Sequence, residues 1–219
     1  MSITAPVDRR HLRRQETIEE VISVAVDVMA EHGVAGLSLG EVARRMGIRT
    51  PSLYVYFPSK SALYDAVFQR GAEQFRAAVE ATPTDGDDLV AILTTAAETS
   101  VRWAVEHPTY AHLLFWRPVP GFEPSPEAYA PAVAVAELAQ QRFADLQAHG
   151  LLRSDVSAAE AFRDWTILIS GVVSQQLSNA PDEPFAHGGF TTRIPAVVAM
   201  FAAHYGGSSR RPRLRKKSS

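Results

Sequence analysis

The sequence predicts an all-α protein, an N-terminal three-helix, helix-turn-helix domain joined to a larger helical domain. Apolar residues recur at three- and four-residue spacings through the long segments, and no segment carries a convincing strand pattern. Helix starts and stops are written in side-chain chemistry, with Ser38…Glu41 and Ser157…Glu160 as capping boxes and Gly33, Gly47 and Gly150 as terminators. Between Leu37 and Leu63, two short helical segments flank a tight glycine turn and lead into a long helix.

With 219 residues, 46% hydrophobic and 21% charged, the chain has ordinary globular composition and length for one or two domains. Cysteine is absent, which excludes disulfides and cysteine-ligated metal sites and suits a reducing compartment. The N-terminus lacks the apolar run of a secretory signal. No stretch approaches the ~18 apolar residues of a membrane span, so a cytoplasmic protein without membrane contact is expected. The formal net charge of −2 conceals an uneven distribution. Residues 1–64 hold eight Lys+Arg against seven Asp+Glu, residues 65–207 eight against seventeen, and residues 208–219 six basic residues and no acid. Basic ends around an acidic middle suit DNA contact away from the middle.

Residues 1–14 are expected as a basic arm, whose arginines can meet phosphates or a minor groove. The helix-turn-helix domain is expected over 15–63. Its first helix, Glu16 to His32, places Ile18, Val21, Ile22, Ala25, Val28 and Met29 on one face and closes at Gly33. A short helix follows, with Ser38 as N-cap, Glu41 reaching back to complete the box, and Val42, Ala43 and Met46 inward. Gly47 ends it and Ile48 plugs the turn. Thr50 as cap and Pro51 at the first helical position open the second short helix, whose Leu53 and Phe57 pack inward. This helix has the size and chemistry to enter a major groove. The residues at its N-terminal end, Arg49, Thr50, Pro51 and Ser52, are the ones that point at base edges. Arg49 suits a bidentate pair with guanine, worth about 1–3 kcal/mol of discrimination. Gly36-Leu37-Ser38-Leu39-Gly40 also fits G-x-S-x-G, but that nucleophile elbow follows a strand. A helix precedes it here and Ser38 serves as a cap, so no catalytic residue is assigned.

The run from Ile18 through Val67 resembles the N-terminal domain of TetR-family transcriptional regulators. The matching pieces are Ala25…Met29…His32-Gly33, Leu37-Ser38-Leu39, Val42-Ala43-Arg44, Gly47-Ile48, Ser52-Leu53-Tyr54-Val55-Tyr56-Phe57 and Ser59-Lys60-x-x-Leu63. The resemblance implies a homodimer on a palindromic double-stranded DNA operator. It also implies that Tyr54 packs on base methyls or the backbone and that Tyr56 and Lys60 contact phosphate. Lys60 falls in the first turn of the next helix, where backbone N–H groups already favour an anion. Ser38 completes a DNA-contact set of Ser38, Arg49, Thr50, Pro51, Ser52, Tyr54, Tyr56 and Lys60. Gly40 departs from members that read bases from the first short helix.

Residues 64–207 are expected as a helical ligand-binding and dimerisation domain, and 208–219 as a polybasic disordered tail. Ser59 caps a helix running to about Ala81, with Leu63, Ala66, Val67, Gly71 and Phe75 on one side. Further helices are expected over Leu89–Glu106, around Tyr110–Trp116, and over Glu127–His149, Ser157–Asn179 and Thr192–Tyr205. Proline- and glycine-bearing connectors separate them. The resemblance implies a cavity for a small apolar or aromatic effector. Trp103, Tyr110, Phe115, Trp116, Phe162 and Trp165 are the candidate lining, although any one of them singly fits plain core packing. Gly171, Ser174, Ala196 and Ala199 on the last two helices suit a four-helix dimer interface. Seven scattered histidines fit no ligand spacing, and neither metal nor cofactor is expected.

The expected function is a sequence-specific DNA-binding regulator, a repressor released from its operator by ligand. Two other classes compete. One is a small-molecule binding protein without specific DNA function, against which the intact Tyr54, Tyr56 and Lys60 weigh. The other is a DNA-coating protein that relies on the basic tail, binds all sequences alike and loses affinity steeply with salt. An enzyme is not expected.

Overall fold

A computed structural model of the chain describes residues 9–207. Residues 1–8 of the expected arm and the whole expected tail, 208–219, lie outside the described residues. Among those described there is no strand, only one isolated bridge between Leu152 and Gly206. The helices are α1 (Arg9–His32), α2 (Leu39–Arg45), α3 (Thr50–Leu53), α4 (Lys60–Glu80), α5 (Leu89–Glu106), α6 (Pro108–Phe115), α7 (Pro126–Ala148), α8 (Ala158–Asn179) and α9 (Ile194–Tyr205). Short 3-10 turns stand at Val34–Gly36, Phe185–His187 and Thr191–Arg193. No helix among the described residues is long and apolar enough to cross a membrane.

Contacts group the described chain into two compact units that interleave in sequence: 9–74 with 107–132, and 75–106 with 133–207. In the first, Val21, Ile22, Ala25, Val28 and Met29 of α1 are buried, as the spacing predicts, while Ile18, expected with them, is half-buried. They share this interior with Val42 and Ala43 of α2, Leu53 of α3, and Leu63, Tyr64, Val67 and Phe68 of α4. Tyr64 packs on Phe122 at 5.2 Å, and the Asp65 carboxylate accepts a hydrogen bond from the Ser125 N–H at 2.9 Å, so the connector before α7 is tied to α4. A Cβ at Gly71 would stand 2.6 Å from the Tyr110 ring, so α4 and α6 approach closely there.

In the second unit α5 lies against α8 and α9. Phe143 of α7 centres an aromatic cluster, with Phe162 at 5.6 Å, Trp165 at 6.3 Å and Phe201 at 6.1 Å between ring centroids. The fully buried Gln176 amide fastens the loop before α9. Its oxygen accepts from the N–H groups of Phe190 and Thr191, and its nitrogen donates to the Ala180 carbonyl at 2.6 Å.

Several local expectations are corrected. Residues 9–14 of the expected basic arm are the first turns of α1, which starts ahead of the expected Glu16, because no helix breaker separates them from it. Ser38 caps α2 by accepting from the Glu41 N–H at 3.4 Å, but the Glu41 carboxylate turns to Arg44 and Arg45 instead of closing the box. Ser157 occupies the cap position of α8 without a side-chain cap bond. Arg49, in extended conformation, is the cap position of α3, one residue before the threonine expected there. α7, by contrast, matches the helix expected over Glu127–His149 and runs on through Pro131.

Candidate nucleic-acid interface

α3 is four residues long, too short to hold itself in water, so its place must be set from outside. Gly47 has φ +66°, the left-handed conformation that glycine adopts without steric cost, and it turns the chain out of α2. The Ile48 N–H then donates to the Ala43 carbonyl at 3.0 Å and locks the turn. Beyond it, Leu53 is wholly buried and Phe57 is 6% exposed. The N–H groups of Tyr56 and Phe57 both donate to the Leu53 carbonyl at 3.0 Å, winding the segment tightly around that anchor.

With Leu53 and Phe57 inward, the other side chains face out. Arg49, Pro51 and Ser52 are exposed and Thr50 is half-buried. Tyr54 and Val55 are 50% and 65% exposed, the largest apolar side chains left in the open on this segment. Tyr56 is half-buried, with the Arg14 guanidinium 5.2 Å from its ring centre. Arg14 also donates to the Val55 carbonyl at 3.4 Å.

The start of α4 supplies the flank of this face. The Ser59 hydroxyl caps it by accepting from the Ala62 N–H at 3.0 Å. Lys60 is exposed, and its ammonium donates to the Ala35 carbonyl at 3.3 Å and lies 5.4 Å from the Tyr64 ring. The Tyr64 hydroxyl donates to the Val34 carbonyl at 2.8 Å, and burial raises its pKa. Ser38 is exposed as well, but its hydroxyl is already engaged as the α2 cap.

A charge network joins α1 to α2. Arg45 donates to both oxygens of Glu31 at 2.7 and 2.6 Å and to Glu41 at 2.8 Å, while Arg44 grips Glu41 through two further bonds. Hydrogen bonds from Arg44 and Arg45 hold the Glu41 carboxyl down at about 2, and the bond from Arg45 lowers Glu31. The Glu41–Arg44 and Glu41–Arg45 spacings announce half of this network in the sequence. Glu31, fourteen residues before Arg45, gives no local signal.

The six aromatic residues proposed for a ligand cavity fall in both units. Trp103 packs on Phe75 at 4.9 Å and borders a cleft of about 260 Å³ whose walls include Ala78, Thr95, Glu98, Thr99 and Arg102. Phe162 and Trp165 belong to the cluster around Phe143. Tyr110, Phe115 and Trp116 stand in the other unit, where Tyr110 is buried and Phe115 is 42% exposed.

The arrangement up to α4 is that of a helix-turn-helix reading head. Residues 21–67 match the family described as "Bacterial regulatory proteins, tetR family". An HTH-type transcriptional regulator of Saccharopolyspora erythraea is 30% identical over 187 residues, 85% of this chain and 72% of that protein. One from Mycobacterium tuberculosis is 28% identical over 162 residues, 71% of this chain; the match spans 66% of the relative's length. The crystal structure of the TetR-family transcriptional regulator PfmR of Thermus thermophilus has the same fold, with a TM-score of 0.63 at 17% identity, covering 83% of this chain and 96% of that one. The chain belongs to the tetR family of bacterial regulatory proteins.

Proposed function

We propose that the protein is a DNA-binding transcriptional regulator, a repressor that occupies a palindromic operator as a homodimer and is released by a small effector. The observation that carries this reading is the outward face of the segment 49–55. Arg49, Pro51, Ser52, Tyr54 and Val55 are exposed on a segment whose Leu53 is wholly buried. A short helix seated this way presents its N-terminal residues to base edges, with Arg49 toward guanine and Tyr54 toward base methyls or the sugar–phosphate backbone. Tyr56, Lys60 and Ser38 fix register through phosphates.

Effector response draws support from the cleft beside Trp103. Trp103, Ala78 and the polar Thr95, Glu98, Thr99 and Arg102 line it, and the effector would be a small apolar or aromatic molecule. Such a ligand lowers DNA affinity by its preference for one of two conformations, and DNA lowers ligand affinity by the same factor. Dimerisation draws support from the outer faces of α8 and α9. Ile167 is 64% and Met200 62% exposed, and a Cβ at Gly171 would meet nothing within 4 Å, which leaves room for a partner helix.

Selection of bound fragments from random DNA, with full-length protein near physiological salt, tests the reading. A recurring two-fold symmetric site is the expected result. Uniform enrichment without a motif overturns specific recognition and favours a coating role.

A further inference from the structure

We propose that Arg14 is a positioning residue of the reading head, bracing the C-terminal end of α3 and thereby sharpening sequence discrimination. This rests on the DNA-binding reading for its consequence, though not for the brace itself. Arg14 lies in α1, forty-one residues before Val55, yet its guanidinium bonds the Val55 carbonyl at 3.4 Å and lies over the Tyr56 ring at 5.2 Å. It is exposed, but it lies on the same face of α1 as the residues that the core buries. Arg14 and the half-buried Ile18 precede the buried Val21, Ala25 and Val28 at three- and four-residue steps, so Arg14 stands one turn beyond the stripe that anchors α1 in the core. The carbonyls at the end of a helical segment attract a cation, and a flat guanidinium can bond one while stacking on a ring.

The contact matters because α3 has so little else. Leu53 and Phe57 fix the buried side of the segment. Tyr54 and Val55 are 50% and 65% exposed, so their backbone does much to orient them, and Arg14 holds that backbone at the Val55 carbonyl. A guanidinium has five N–H donors, so a bond to Val55 leaves others for a DNA phosphate without releasing the brace. Lysine, a flexible point charge without the planar fork, cannot hold ring and carbonyl together in this way.

Arg14→Ala and Arg14→Lys test the proposal in two steps. The first needs no DNA: amide exchange of the full chain at Tyr56 and Phe57, whose N–H groups bond the Leu53 carbonyl. Both variants should speed exchange there by about two- to fivefold, the worth of an exposed cation–π contact, while amides of the α1 core keep their rates. Unchanged exchange at both positions overturns the brace. The second step compares affinity for the wild-type-selected operator with affinity for a scrambled duplex. Both variants should lower the ratio by about two- to fivefold. A parallel loss on both duplexes, restored by lysine and with a salt slope shallower by about 0.9, would make Arg14 a phosphate charge only and overturn the positioning role. If the wild type selects no operator, the DNA reading falls, and the exchange rates still decide whether Arg14 braces α3.

Discussion

Leu53→Ala tests whether α3 is held in place by its anchors. The side chain is wholly buried. Removing it forfeits transfer energy of about 0.8 kcal/mol per methylene, plus a cavity term, for a total near 3 kcal/mol. Phe57 remains as the second anchor, so the loss should fall on the equilibrium between a seated and an unseated α3 and spare the fold. A change of about 3 kcal/mol is roughly a hundredfold in that equilibrium. Amide exchange at Tyr56 and Phe57 reads it directly, and should accelerate by about that factor while amides in α1 and in the middle of α4 change little. DNA affinity follows through the seated fraction, since a protein competent only part of the time binds more weakly by that fraction. Leu53→Met, which nearly conserves volume, should cost less than about 1.5 kcal/mol and act as the control. Exchange at Tyr56 and Phe57 that changes less than about threefold, or that accelerates equally throughout α1 and α4, would mean that Leu53 does not seat α3.

Arg49→Ala should lose about 1–3 kcal/mol of discrimination at one base pair of the selected operator, with affinity for other sites nearly unchanged; equal losses on every duplex would reassign Arg49 to phosphate. The Glu31–Arg45–Glu41 network should make the head acid-sensitive in a defined window. The Glu41 carboxyl is depressed from 4.5 to about 2 in the folded chain, so its contribution is complete above about 4.5 and fades as the pH falls toward 2. Melting temperatures of wild type and Glu41→Gln should therefore differ at neutral pH and converge across that interval. A difference that is constant with pH would remove the ionised carboxylate as the cause.

What was legible in the sequence is what local chemistry decides. α5 runs from Leu89 to Glu106 as expected, because Asp88 caps it through the Val90 N–H at 2.9 Å and His107-Pro108 stops it. Gly47 turns left-handed, and Leu53 and Phe57 go inward. The Tyr54-Val55-Tyr56 triplet cannot all face the core, and Tyr54 and Val55 stay out while Tyr56 is half-covered. What was not legible depends on partners distant in sequence. Glu41 abandons the capping box because Arg44 and Arg45 are stronger partners for a carboxylate than a neutral N–H. Arg45 is also taken up by Glu31, and Arg14 by Val55, through contacts that no periodicity encodes. The aromatic residues of the larger domain read alike in sequence. Only the fold sorts Trp103 to the edge of a cleft and Phe162 and Trp165 to a packed cluster.

The same sorting separates the charges that hold the head from those available to DNA. Residues 1–64 carry eight basic side chains, a modest number beside the seventeen acids of residues 65–207. Arg45 is spent on two carboxylates, and Glu31, Glu41, Arg44 and Arg45 together carry no net charge. Such a cluster attracts phosphate weakly, because each cation approaches DNA with its own anion beside it. Lys60 bonds a neutral carbonyl and lies by the Tyr64 ring, so its full charge is not paired with a carboxylate among the described residues. The two residues should therefore fail differently. Lys60→Ala should weaken binding to every duplex and reduce the salt slope by about 0.9 per head. Arg45→Ala should lower the melting temperature, by leaving Glu31 and Glu41 less well paired, with little change in the salt slope. If Arg45→Ala flattened the salt dependence as much as Lys60→Ala, the network would belong to the DNA interface and not to the scaffold that supports it.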